Sequence, residues 1–134
     1  MNPTNLQIAQ FQFTLHVARL IEHIYDKNYL CTFGETFRTQ EQAKWYADKG
    51  LGIVDSYHCK RLAVDLNLFD RNEFYVTDGK SYEQFGIFWE SLSHENVWGG
   101  RFKRQDFDHF ERRYEDESSK IKTLHECDGC CIPK

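Results

Sequence analysis

At 134 residues, with 40% hydrophobic and 16% aromatic content, the chain is long enough for one domain with a ring-rich core. A net charge of −4, from seventeen Lys+Arg against twenty-one Asp+Glu, excludes a nucleic-acid binder held by bulk charge. No window reaches the roughly 18 uninterrupted apolar residues of a membrane span, and Met1 to Gln10 lacks the basic start of a secretory leader.

Thr4 and Gln7 form a capping box that opens a helix running to about Asp26. Phe11, Leu15, Ala18, Ile21 and Tyr25 recur at helical steps and predict its buried stripe. His16 and His23 share a side of this helix, but no acid or cysteine accompanies them there, so they read as ordinary histidines. Tyr29 to Gly34 predicts a short strand. Thr39 and Gln42 make a second capping box, opening a helix through Lys49 that Gly50 stops. Arg38 then falls at a strand-to-helix junction, where a side chain is fixed yet can face a cleft.

Leu62 to Phe69 predicts a strand with Leu62, Val64, Leu66 and Leu68 on one face and Ala63, Asp65 and Asn67 on the other. Asp70-Arg71-Asn72 is a turn, Phe74-Tyr75-Val76 a short strand and Asp78-Gly79 another turn. Tyr82 to about Ser93 predicts a third helix, with Tyr82, Phe85, Phe88 or Trp89, and Leu92 on one side. Asn96 to Gly100 is expected to turn, and Arg101-Phe102 with Phe107 to Glu111 to close the sheet as a strand or strand pair. Arg112 to Lys122 is mostly charged and predicts an exposed helix or tail. These elements give a single unit over residues 1–122, followed by a Cys-rich tail over 123–134.

Five cysteines at uneven spacing do not make a disulfide framework. Cys127, Cys130 and Cys131 crowd the tail beside His125. That is half of a zinc knuckle, and a tail with reduced or locally bridged thiols is the plainer reading.

A carboxylate in a Leu/Val-rich strand is costly unless something pairs with it, and a metal ion beside Asp65 would do so. His58 is the nearest second ligand. It lies seven residues from Asp65, an odd number, so Cys59-Lys60-Arg61 must bend to bring the two together. Hydrolytic zinc sites use three protein ligands and leave a position open for water. The best third candidate is His109, and the acids nearest to it, Asp106 and Asp108, are both candidates for the general base. Asp106 can stand beside His109 only if residues 106–108 turn.

Three segments resemble the M15 zinc peptidases. Ser56-Tyr57-His58 followed by Ala63-Val64-Asp65 is similar to the family's S-x-H-x-x-G-x-A-x-D signature. Trp98-Gly99-Gly100, then Asp106-Phe107-Asp108-His109-Phe110, is similar to the W-G-G…D-x-x-H-F pattern of its endopeptidase branch. Phe37-Arg38-Thr39 with Glu41-Gln42 and Tyr46 is similar to its G-Y-R-S…Q…L-Y segment. The resemblance implies a small α+β domain, a mostly antiparallel sheet with helices packed against it and a zinc site at the sheet edge. It implies His58, Asp65 and His109 as the Zn2+ ligands, Asp106 rather than Asp108 as the base, Arg38 as the catalytic arginine that binds and polarises the substrate, and Ser56 as a substrate contact. Arg61 departs from the pattern by standing where the family has glycine, and Phe37 by standing where it has tyrosine.

The implied activity is hydrolysis of peptidoglycan stem peptides. The W-G-G segment and compact size favour a phage lysis enzyme, an endolysin cutting the L-Ala–D-Glu bond. The alternatives are a D-Ala-D-Ala carboxypeptidase and a zinc-stabilised binding module without turnover. The expected protein is a monomer that engages the stem peptide, neither binds nucleic acid nor inserts into membranes, and waits in the host cytoplasm until a holin releases it to the wall.

Overall fold

The computed structural model describes residues 2–115. The boundary at 122, the half-knuckle of Cys127, Cys130 and Cys131, and most of the charged stretch after Arg112 lie outside the described residues.

Helix α1 spans Asn5–Asp26 and opens on the Thr4/Gln7 capping box. Strand β1 is Leu30–Phe33. Helix α2, Gln40–Asp48, opens on the Thr39/Gln42 box. A 3-10 turn at Tyr57–Lys60 leads into β2, Ala63–Phe69. Helix α3 is Gly79–Ser91, β3 is Asn96–Trp98, a second 3-10 turn covers Gly99–Arg101, and β4 is His109–Arg112. The four strands form one antiparallel sheet in the order β1-β2-β4-β3.

Period-two alternation divides this sheet by chemistry. Val64, Leu66, Leu68 and Phe110 point into a core completed by Phe13, Leu20 and Ile24 of α1 and by Tyr82, Phe85 and Trp89 of α3. Trp89 meets the rings of Phe13 and Phe110 edge-on, with centroids 5.6 and 6.0 Å apart, and its indole N–H donates to Glu111 O at 3.0 Å. Each such large apolar side chain contributes about 1.5–3 kcal/mol by leaving water. Asp65, His109 and Glu111 take the alternate positions and so share the sheet's other face. Among the described residues no helix is long and apolar enough to cross a membrane.

Five expectations are corrected. The buried stripe of α1 is Ala9, Phe13, Leu20 and Ile24, whereas Phe11, Leu15 and Tyr25 are about half exposed. Both series have the helical period, and the period does not say which of them meets Trp89. Asp78 does not end a turn; it caps α3, accepting from Ser81 N at 2.8 Å, so the helix begins three residues before Tyr82. Phe74-Tyr75-Val76 forms only a single bridge, Phe69 to Tyr75. Asn96 to Trp98 is a strand rather than part of a turn, because β4 supplies its partner. Arg101 ends a 3-10 turn instead of joining a strand, and β4 begins only at His109.

Candidate metal centre

The register of β2 with β4 makes the centre. Asp65 lies directly opposite His109, and Ala63 opposite Glu111. Directly opposed residues carry their Cβ atoms about 4.5–5.5 Å apart on one face, close enough for a shared ligand.

His58 arrives from the 3-10 turn. Ser56 Oγ accepts the His58 N–H at 3.1 Å and caps that turn. The turn ends at Arg61, which adopts the left-handed conformation (φ 56°, ψ 37°). The bend demanded by the His58–Asp65 spacing is therefore made where the family carries glycine, by an arginine in the conformation glycine favours. The Arg61 guanidinium lies 4.0 Å over the centroid of Phe37, so these departures from the family pattern touch each other.

The three expected ligands converge. His58 Nε2 is 3.4 Å and His109 Nδ1 3.2 Å from Asp65 Oδ1, and the donor atoms of all three residues lie within 4.8 Å of one another. Donors each roughly 2.0–2.1 Å from a tetrahedral zinc stand roughly 3.3–3.4 Å apart, so this set of two imidazoles and one carboxylate fits that ion. The remaining ring nitrogens are occupied: His58 Nδ1 lies 3.2 Å from Thr36 O, and His109 Nε2 lies 2.7 Å from Glu111 Oε1. Such outer contacts leave the inward nitrogens to the centre. Cys59 is not among the converging residues; its Sγ lies 3.9 Å from Thr39 O.

The electrostatics match a cation site. Burial pushes the Asp65 carboxyl up, but hydrogen bonds with His109 and His58, and the charge on both rings, outweigh it and bring it down to about 2. Burial likewise pushes His109 down, yet its bonds to Asp65 and Glu111 and their negative charge raise it to about 9. Without metal, the carboxylates on both sides of His109 favour its protonated form.

Residues 106–108 do turn, with His109 N donating to Asp106 O at 3.2 Å. Gly99 allows this close passage, since a Cβ there would meet Asp106 O at 2.2 Å. Asp106 Oδ2 then stands 4.0 Å from His109 Nδ1, on a half-exposed side chain that water can reach. Asp108 gathers with Asp65 and Asp106. Burial, a hydrogen bond to Asp106 and the nearby carboxylates raise Asp108 to about 7.

Arg38 is tied to this face by its backbone N–H, which donates to His58 O at 3.3 Å. Its Nε donates to Glu35 Oε1 at 2.9 Å, and its Cζ lies 4.9 Å over the Tyr46 ring. Ser56 is buried, with its hydroxyl engaged at the turn. Two residues that sequence reasoning gave no role belong to the site. Glu111 is 3% exposed behind His109 and is paired with Arg113. Glu35 lies with Oε1 3.8 Å from His58 Nε2. The available signal for Glu111 was its place two residues after His109, which puts both on one face of a strand.

Residues 49–112 match the sequence model of a peptidase M15 family described as D-alanyl-D-alanine carboxypeptidase. No curated protein sequence matches the chain. Among solved structures the fold is similar to the L-Ala D-Glu endopeptidase ChiX of Serratia marcescens, with a TM-score of 0.59 and 19% identity over 72% of this chain and 77% of that one. It is also similar to the vancomycin-resistance D,D-pentapeptidase VanY from a VanB-type cassette, in complex with Zn(II), with a TM-score of 0.53 and 14% identity over 84% of this chain and 76% of that one. The residues that match the M15 peptidase model, just under half of the chain, hold His58, Asp65, Asp106 and His109.

Proposed function

We propose that this protein is a zinc-dependent peptidase that cuts peptidoglycan stem peptides at the L-Ala–D-Glu bond, with His58, Asp65 and His109 as ligands. The observation that carries the reading is the convergence of these three donor sets beside the reachable carboxylate of Asp106. Zinc held there supplies an acidified water and polarises the scissile carbonyl. Asp106 takes the proton from the attacking water and passes it to the leaving amine. Arg38 stabilises negative charge developing on the carbonyl oxygen; a stabiliser of that kind is worth roughly 2.7–4 kcal/mol of barrier. Ser56 contributes by fixing the turn that presents His58, and we assign it a substrate contact at that turn.

The endopeptidase assignment draws on the likeness of Trp98-Gly99-Gly100 and Asp106-Phe107-Asp108-His109-Phe110 to the endopeptidase branch. With it goes the role of a phage endolysin, monomeric and held in the host cytoplasm until a holin opens the membrane. Digestion of purified peptidoglycan with the zinc-loaded protein, followed by identification of the new termini, tests this. Free L-Ala carboxyl together with D-Glu amine is the expected product, and Asp106→Asn should retain zinc and release none. Released D-Ala would make the protein a carboxypeptidase, and zinc binding without new termini would make it a binding module.

A further inference from the structure

Glu35 is placed against the metal centre by a break in the sheet. Gly34 N donates to Asp65 O at 2.7 Å, while Asp65 N donates to Glu35 O at 2.8 Å, so two successive residues face the single residue Asp65. This is the arrangement of a β-bulge, which re-aims the side chain that follows it. Glycine suits the first position, since a Cβ on Gly34 would sit tightly, 3.0 Å from Asp65 Cβ. The carboxylate so aimed accepts from both Nε and Nη2 of Arg38 through one oxygen, Oε1. That same oxygen is 3.8 Å from His58 Nε2.

Arg38 is boxed on its other sides. Tyr46 lies beneath its guanidinium, and Gly52 lies alongside, where a Cβ would be in ordinary contact with Nη1 at 3.5 Å. Its side chain is only 15% exposed. An arginine without such an anchor explores many rotamers, and a misplacement of about 1 Å at a reacting centre can cost roughly a hundredfold in rate.

We infer that Glu35 is a positioning residue: it fixes the Arg38 guanidinium at the rim of the His58/Asp65/His109 centre, so that the arginine meets the substrate carbonyl already oriented. The inference rests on the peptidase reading above. Glu35 neutralises Arg38 locally and leaves its remaining N–H groups for substrate. Its Oε1 is close to His58 but is not one of the mutually converging donor atoms, so it acts on the arginine and not on the metal.

The test compares zinc-loaded wild type, Glu35→Ala, Glu35→Gln, Arg38→Ala and the Glu35→Ala/Arg38→Ala double variant on purified peptidoglycan. Zinc affinity is measured in parallel by competition with a chromophoric chelator. Glu35→Ala should lower kcat roughly ten- to a hundredfold, with zinc affinity within about threefold of wild type, and Glu35→Gln should recover part of the loss because its amide oxygen still accepts. The double variant should be no slower than Arg38→Ala alone. Additive losses would overturn the inference, as would a zinc affinity that falls more than about tenfold in Glu35→Ala but not in Arg38→Ala, which would make Glu35 a metal ligand. A wild type that releases no termini would defeat the peptidase reading. The inference is then read from the protected Arg38 Nε–H resonance in the zinc-loaded protein, assigned by its loss in Arg38→Ala. Its disappearance in Glu35→Ala supports the anchor, and its persistence there overturns it.

Discussion

His109 is held from both sides, by Asp65 at Nδ1 and by Glu111 at Nε2. Glu111 is therefore expected to act on the metal without touching it. Glu111→Gln should lower zinc affinity by about ten- to a hundredfold, the usual cost of losing such a contact, as measured by chelator competition; unchanged affinity would leave Glu111 a purely structural partner of Arg113. The same pairing fixes a pH dependence. In metal-free protein the folded value of His109, about 9, lies above its ordinary 6.5, so the folded state binds more protons, and this stabilisation is full below 6.5 and lost as pH rises through about 9. Asp108, raised from 3.8 to about 7, loses its share in the same direction over that lower window. Asp65, lowered from 3.8 to about 2, works oppositely, but only below 3.8. The Tm of metal-free protein should thus fall with pH between 6.5 and about 9, and saturating zinc should remove that fall by taking the proton's place on His109. Parallel pH curves with and without zinc would contradict it. At this scale His58, Asp65 and His109 were legible because a histidine pair and a carboxylate in an apolar strand need a common partner. Glu111 was not, since its role depends on strand register.

Among the elements, the 3-10 turn and α3 carry the departures that matter most. Arg61 in the left-handed region costs roughly 1–2 kcal/mol, and its stacking on Phe37 returns roughly 0.5–1 kcal/mol. Arg61→Gly should therefore stay within about 1 kcal/mol of wild type, and it should be more stable than Arg61→Ala, which keeps the strain and loses the stacking. The reverse order in denaturant unfolding would mean that Arg61 is held by something other than this balance. Gly86 gives a second test. In an exposed helix interior, alanine is better than glycine by about 0.5–1 kcal/mol, but a Cβ on Gly86 would meet Trp98 Cδ2 at 2.2 Å. Overpacking of that kind costs about 1–3 kcal/mol, so Gly86→Ala should lower stability; a gain would show that α3 does not press on β3 as described. The helices with capping boxes were readable because their signals are local. The strand at Asn96–Trp98 and the exposed face of α1 were not, because the first needs β4 as partner and the second is decided by which apolar series meets Trp89.

Across the whole molecule, one sheet separates two tasks. Its apolar face holds α1 and α3, and its polar face holds the candidate metal centre, to which the segment from Gly34 to Arg61 is tied at Gly34, Glu35 and Arg38. The segment is tied there by backbone bonds to Asp65, and by Arg38 N donating to His58 O at 3.3 Å. Sequence could place this segment near the site only through motif order; its attachment to Asp65 is a tertiary fact. The central claim is that the His58/Asp65/His109 centre powers hydrolysis of the wall peptide. The most direct measurement is the rate at which free amino groups are released from purified peptidoglycan by protein stripped with a chelator and then titrated with zinc, with Asp65→Asn alongside. The rate should be near zero after stripping, should return to the untreated level as zinc is restored, and should remain near zero for Asp65→Asn at the same zinc concentrations. Undiminished release by the stripped protein, or full activity of Asp65→Asn, would contradict the account.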